Sequence, residues 1–158
     1  DPSAYGVSKR FQDAITLTAQ NMKGDRPTLF SVFRPVNFFR SRGSVMDFWD
    51  SCLTEGKPLP VTDPSMTRFF SPVEDVAQDI LKATSLTEGG EIWLQKNPKE
   101  YNIYDLAKNL VNGNTDKIKI TGRRPGEVLH QRLWTEDEAS RLEEKDGLLR
   151  IKPLKTQH

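Results

Sequence analysis

The stretch Tyr5-Gly6-Val7-Ser8-Lys9-Arg10-Phe11 opens the longest periodic segment of the chain and decides how the fold is interpreted. Residues 3–22 carry apolar side chains at helical spacing and predict one amphipathic helix ending near Gly24. These apolar residues are Val7, Phe11, Ala14, Ile15 and Ala19. Tyr5 and Lys9 lie on the first turns, where residues four apart share a face. An ammonium beside a phenol favours the phenolate, so the pair has the chemistry of a general base near neutral pH.

Beyond this helix, the chain alternates short strands with helices, which predicts an α/β fold. Strands are expected at residues 28–34, 59–62, 66–70, 91–94, 117–121 and 148–151, and helices at 45–55, from 71 onward and at 103–110. The sequence Thr135-Glu136-Asp137-Glu138 predicts a capping box. Residues 36–43 are expected to form a loop.

Composition excludes several classes of partner. The 158 residues suit one domain with a substantial core, and the net charge of +1 gives no general footprint for nucleic acid or an anionic membrane. No stretch approaches the roughly 20 apolar residues of a membrane span. The single cysteine, Cys52, excludes an internal disulfide and favours the cytoplasm. His130 has no second His or Cys at ligand spacing, so no metal site is expected.

Six short motifs occur in order along the chain. They are Tyr5-Gly-Val-Ser-Lys9, Ser41-Arg-Gly-Ser-Val45, Thr62-Asp-Pro-Ser-Met-Thr-Arg-Phe69, Gly89-Gly-Glu91, Tyr104-Asp-Leu-Ala107 and Gly122-Arg-Arg-Pro-Gly-Glu-Val-Leu-His130. Together they resemble the polysaccharide-biosynthesis, CapD-like branch of the extended short-chain dehydrogenase/reductases. Within it the chain looks most like the UDP-N-acetylglucosamine 4,6-dehydratases, from Tyr5 to about Ala139.

The resemblance implies the C-terminal portion of an NAD(P)-binding Rossmann fold plus its small substrate-binding domain. Residues 1–40 would end the Rossmann domain, with the catalytic helix and the following strand. Residues 41–158 would be mainly the nucleotide-sugar-binding subdomain, interleaved with late Rossmann elements. The sequence has no Gly-x-Gly-x-x-Gly after a strand, so the usual phosphate cradle of a dinucleotide is missing. Asp1 is too close to Tyr5 to replace the acid/base residues that the family places before its Tyr.

By resemblance, Tyr5 is the catalytic base that takes the proton from the sugar's 4-hydroxyl, and Lys9 holds the nicotinamide ribose. Both would contact the cofactor, NADP or NAD. Pro35 and Val36 would line the nicotinamide end of the site. There the family usually has an aromatic residue and a Gly.

The family's substrate residues map onto five positions of this sequence. The resemblance implies that Asn37, Arg42, Arg68 and Arg124 contact the nucleotide-sugar diphosphate or uridine, and that Glu127 reaches a ribose hydroxyl or a neighbouring loop. Guanidinium groups suit this role because their planar fork of donors matches phosphate oxygens. The alternatives are a surface position for Arg42, a surface ion pair with Asp63 or Asp75 for Arg68, and a turn cap for Asn37.

The expected function is a nucleotide-sugar 4,6-dehydratase, C5-inverting or C5-retaining, of which this chain would be an incomplete and inactive C-terminal part. An epimerase of the same superfamily and a silent UDP-sugar-binding fragment stay open as alternatives. The expected partners are a UDP-sugar and either a second copy or a missing N-terminal half. An unpaired sheet edge and exposed apolar surface would favour such association.

Overall fold

A computed structural model describes residues 3–154 of the 158. Asp1, to which no acid/base role was assigned, lies outside the described residues. The chain divides into two compact units. Unit 1 holds Val36–Val73 and Pro98–Gln131, and unit 2 holds Ala4–Pro35, Glu74–Asn97 and the residues from Arg132 onward.

Unit 2 is built on a four-stranded mixed sheet with the order β1-β5-β9-β8. Its strands are β1 (Val32–Arg34), β5 (Ile92–Gln95), β8 (Leu142–Lys145) and β9 (Leu148–Ile151). β1 and β5 run parallel, whereas β9 is antiparallel to both β5 and β8. The helices are α1 (Ala4–Met22), α3 (Val73–Leu86, in this unit from Glu74) and the short α5 (Glu136–Ala139).

The core of unit 2 centres on β5, all four residues of which are buried. Ile92 and Leu94 pack with Val32 and Ile151, while Trp93 packs with Ala83 and Leu148. Apolar residues on both faces are typical of a strand that is covered on both sides. β5 is therefore the central element that holds the neighbouring strands in register.

Unit 1 contains a three-stranded sheet, β2-β4-β6, and a separate parallel pair, β3-β7. These strands are β2 (Asn37–Phe38), β3 (Leu59–Val61), β4 (Thr67–Ser71), β6 (Lys99–Asn102) and β7 (Ile118–Ile120). The helices are α2 (Val45–Thr54) and α4 (Ile103–Leu110), and a 3-10 turn spans Thr115–Lys117. Trp49 is fully buried in this core, and its indole Nε1–H donates to the Pro60 carbonyl at 2.9 Å.

The α/β class is confirmed, and four local points need correction. The first strand covers only Val32–Arg34 of the expected 28–34, and the expected loop at 36–43 contains β2. β6 was missed because Lys99-Glu100-Tyr101-Asn102 is polar and becomes a strand only by pairing with β4. β8 was missed although Asp146-Gly147, both at positive φ, are typical hairpin residues.

The amphipathic patterns of α1 and α3 do not translate into burial. In α3, Val76 and Ala83 are buried, but the large apolar residues Ile80 and Leu81 are exposed. No residue of α1 is buried. Within residues 3–154, no helix is both long and apolar enough to cross a membrane.

Candidate functional site

Tyr5 and Lys9 lie on the first turns of α1, on one face as their spacing predicts. The Lys9 ammonium nitrogen is 5.4 Å from the centre of the Tyr5 ring, within the range of a cation–π contact. Lys9 also donates to the Gln12 side-chain oxygen at 3.3 Å. The Tyr5 side chain is 71% exposed. The pair is thus preassembled, and the phenol is open to an incoming group.

Arg34, at the end of β1, ties α1 to the rest of unit 2. Its Nε donates to Asp13 of α1 at 2.8 Å, and its two Nη atoms donate to the Glu138 carboxylate at 3.0 and 2.7 Å. Burial alone would raise the pKa of Glu138, but hydrogen bonds from Arg34 and from the Thr135 backbone outweigh it and lower that pKa. Because Asp13 follows Lys9 by one turn, Arg34 fixes the helix that carries the Tyr5–Lys9 pair.

The chain passes from unit 2 to unit 1 between Pro35 and Val36, the two residues expected near the nicotinamide. Val36 is buried, at 5% exposure, and its φ is not in the left-handed region. Asn37 follows it on β2, where its side-chain amide donates to the Phe69 carbonyl at 2.8 Å and to the Gln131 side chain at 3.1 Å. The Asn37 amide therefore bridges β4 and the segment that ends at residue 131.

Arg68 points into the same segment of unit 1. Its guanidinium donates to the carbonyls of Thr67, Val128 and Leu129 at 2.7 to 3.0 Å. Burial lowers the pKa of Arg68, and the nearby Glu127 charge opposes this effect. The arginine thus stays a cation anchored by backbone oxygens, in place of the surface ion pair that the sequence left open.

The motif residues from Arg124 to Glu127 form a tight turn. The Glu127 backbone N–H donates to the Arg124 carbonyl at 3.0 Å, and the Glu127 carboxylate accepts from the Arg124 N–H at 3.0 Å. Pro125 is followed by Gly126 at φ 76°, the combination that a type II turn requires. The Arg124 side chain is exposed, and no hydrogen bond or ion pair holds its guanidinium within residues 3–154.

Arg42 lies in the loop before α2. Ser44 caps that helix by accepting from the Asp47 N–H at 3.2 Å, and the Asp47 carboxylate accepts from the Gly43 N–H at 3.0 Å. These two bonds shape the loop, whereas the Arg42 side chain is exposed. Its guanidinium has no ion-pair partner in the part of the chain that the structure describes.

The expected site residues fall in different units. Unit 1 gathers Asn37, Arg68 and Glu127 around residues 128–131, with Arg124 on the adjoining turn, and it also carries Arg42. Tyr5 and Lys9 belong to unit 2. Among residues 3–154, no group of three or more His, Cys, Asp or Glu side chains is arranged to hold a metal ion.

Three side chains near residue 130 were not predicted as site residues. They are Thr67, Glu100 and Gln131: the Thr67 hydroxyl donates to Glu100 and lies at hydrogen-bond distance from His130, and the Gln131 side chain accepts from Asn37. Thr67 lies inside the Met-Thr-Arg-Phe motif, so its position could have been noticed. Glu100 carries no motif, and only the pairing of β6 with β4 brings it to Thr67.

Comparison with known proteins extends the sequence resemblance. The family described as "Polysaccharide biosynthesis protein" matches residues 1–153, beyond Ala139 where the resemblance in motifs ended. An inverting UDP-N-acetylglucosamine 4,6-dehydratase of Campylobacter jejuni (serotype O:2) is 37% identical over 94% of this chain and 44% of its own length. A UDP-glucose 4-epimerase of Rickettsia akari is 32% identical over 94% of this chain and 44% of its own length.

The fold also matches solved structures. The X-ray structure of Pen from Bacillus thuringiensis superposes with a TM-score of 0.86 at 26% identity, covering 96% of this chain and 48% of that one. The chain therefore spans about half the length of the relatives it matches.

Proposed function

The chain belongs to the polysaccharide biosynthesis protein family, and from that premise we propose that it is part of a nucleotide-sugar 4,6-dehydratase acting on UDP-N-acetylglucosamine. The observation that carries this proposal is the cluster in unit 1. There Asn37, Arg68 and the Arg124–Glu127 turn converge on residues 128–131. An exposed guanidinium, an amide and a carboxylate suit a diphosphate and a ribose.

Arg124 is the strongest candidate for direct diphosphate binding. Its side chain is exposed, whereas three backbone carbonyls already hold Arg68. Glu127 fixes the turn from within and lies next to Arg68. We place Asn37 and Arg42, both within residues 37–45, in the same role, and Arg68 as a half-buried positive charge behind the diphosphate.

In unit 2, Tyr5 would act as the base that removes the proton from the sugar's 4-hydroxyl. Its 71% exposure leaves the phenol accessible, and the Lys9 ammonium nitrogen lies 5.4 Å from the centre of its ring. A bound nicotinamide, as NADP or NAD, would accept a hydride from the sugar and later return it. Tyr5, Lys9 and Pro35 of this unit would hold the nicotinamide end, while no glycine-rich phosphate cradle occurs in these 158 residues.

Two further points complete the proposal. Cys52 is buried and carries a free thiol, which supports placing the chain in a reducing compartment such as the cytoplasm.

An epimerase remains the second candidate, because the Rickettsia relative carries that name. It would share the Tyr5–Lys9 chemistry, so the product discriminates: a 4-keto-6-deoxy sugar indicates a dehydratase, and a 4-epimer indicates an epimerase.

Nucleotide binding is the direct test for this chain. Isothermal titration of UDP should show binding that Arg124→Ala weakens by about 1.5–3 kcal/mol, the scale of a hydrogen bond to a charged group. Arg132→Ala is the matched control, since Arg132 is an exposed arginine of unit 2 paired with Glu136. Equal UDP affinity in wild type and Arg124→Ala would remove Arg124 from the site.

A further inference from the structure

The Thr67 hydroxyl lies between an acid and an imidazole in unit 1. Its oxygen is 2.5 Å from the Glu100 carboxylate and 2.9 Å from Nδ1 of His130. Thr67 is on the central strand β4, Glu100 on β6 and His130 one residue beyond Leu129. The three side chains form a hydrogen-bonded chain across the sheet edge.

The hydrogen-bonding capacity of these three side chains fixes where each proton lies. An ionised carboxylate only accepts, and a hydroxyl has a single proton to donate. Thr67 therefore donates to Glu100 and has only lone pairs left for His130. The His130 ring must then carry its proton on Nδ1, which leaves Nε2 as an acceptor when the ring is neutral.

The same strand also holds the backbone around His130. The Thr67 N–H donates to the Leu129 carbonyl at 2.9 Å, and residues 67 and 130 form an isolated parallel bridge. Arg68 adds its bonds to the Val128 and Leu129 carbonyls. Residues 128–130 directly follow the Arg124–Glu127 turn, so these contacts anchor the carboxyl end of that turn.

We propose that Thr67 is a positioning residue for the Arg124–Glu127 turn, acting through a Glu100–Thr67–His130 chain that fixes the His130 tautomer. The role assigned to the turn rests on the proposed function, namely binding of the nucleotide diphosphate and ribose. Thr67 and Glu100 themselves need not touch the ligand. His130 is then the side chain by which β4 holds the turn.

The tautomer can be measured without any ligand. The chain has only two histidines, His130 and His158, so nitrogen NMR of labelled protein resolves them, and His130→Gln assigns the signals. Wild-type His130 should be the Nδ1–H tautomer. Thr67→Val should abolish that preference. Glu100→Ala should weaken it, because the freed hydroxyl can then donate to the ring. Glu55→Ala, which removes an exposed carboxylate of unit 1 paired with Lys57, should leave it unchanged.

Positioning is measured separately. Thr67→Val should weaken UDP binding by about three- to tenfold, the scale of one lost hydrogen bond, and Thr67→Ser should restore it to within about twofold because the hydroxyl returns. The Glu127 amide, bonded to the Arg124 carbonyl, should exchange its proton faster in Thr67→Val than in Thr67→Ser.

The outcomes separate this inference from the proposed function. An Nε2–H tautomer in wild type would overturn the inference whatever the UDP result. An unchanged UDP affinity in folded Thr67→Val would overturn the positioning role of Thr67. If wild type binds no UDP, the proposed function fails, and amide exchange decides the inference: faster exchange in Thr67→Val supports it, and equal exchange overturns it.

Discussion

Glu91 is a single buried carboxylate that organises the turn between α3 and β5. Its side chain has no exposed surface, and its two oxygens accept from the Thr87 hydroxyl and from the backbone N–H groups of Glu88 and Gly89 at 2.6 to 2.8 Å. The Gly-Gly-Glu motif was noticed in the sequence only as part of a family pattern. The structure gives its physical reason: three donors in the turn that follows α3 need acceptors, because a buried N–H or O–H group without a partner is costly.

Glu91→Gln should therefore destabilise the chain. The amide offers one acceptor oxygen and places an N–H₂ donor against donors, so we expect the free energy of unfolding to fall by about 1–3 kcal/mol. Urea denaturation followed by circular dichroism measures this. Glu144→Gln, which changes an exposed glutamate of β8 paired with Lys96, should stay within about 0.5 kcal/mol of wild type. Equal midpoints for both variants would contradict the role of Glu91.

At the scale of elements, the sequence predicts those that carry their own signals. The capping box at Thr135 and Glu138 forms as expected, and α4 has the predicted bounds of Ile103–Leu110. Elements made by pairing were missed, as β6 shows, because a polar strand has no periodic signal until its neighbour is in place. The same limit applies to the site: motifs point to Arg124 and Glu127, but the contact between Thr67 and Glu100 depends on strand register.

The link between α1, β1 and α5 through Arg34 predicts a pH dependence of stability. The pKa of Glu138 is lowered in the folded chain, so its contribution is fully present above the unfolded value of about 4.3. That contribution is lost as pH falls through the lower, folded value. Wild type should thus lose stability below about pH 4.3 more steeply than Glu138→Gln, which is less stable at pH 7.

Thermal unfolding between pH 3 and pH 7 tests this difference. The gap in stability between wild type and Glu138→Gln should narrow as the pH falls. Glu136→Gln is the matched control in the same helix, because the Glu136 side chain is 95% exposed. A gap for Glu138→Gln that stays constant over the whole range would show that the Glu138 carboxylate is not coupled to folding.

At the scale of the whole molecule, the proposed base and the proposed nucleotide-binding residues belong to a sequence that lacks a glycine-rich cofactor cradle. No Gly-x-Gly-x-x-Gly occurs in the sequence, and backbone N–H groups of such a turn normally hold the dinucleotide phosphates. We therefore expect the purified 158-residue chain to convert no UDP-N-acetylglucosamine, even with added NAD or NADP. Mass spectrometry of the reaction mixture is the measurement. A 4-keto-6-deoxy product would contradict this expectation.

Association of the whole chain in solution depends on α1, because this helix presents a continuous apolar face. Val7, Phe11 and Ile15 are 56%, 66% and 54% exposed and lie four residues apart, so they form one stripe. Exposed stripes of this kind drive association, either with a second copy or with a partner that supplies the rest of the cofactor site. Phe11→Asp should break the stripe and shift the chain toward its monomer mass of 18.0 kDa in light scattering.

Gln12→Asp is the control for that shift. It adds the same charge as Phe11→Asp, but Gln12 lies about 100° round the helix from Phe11. It should leave the measured mass unchanged. A wild-type chain already at 18.0 kDa across micromolar concentrations would exclude self-association through α1. We would then expect the apolar face to bind a different chain. In that case Phe11→Asp should reduce the binding of a co-expressed segment that bears a Gly-x-Gly-x-x-Gly turn. The stripe that made the first helix recognisable in the sequence is thus also the exposed apolar surface whose association these measurements test.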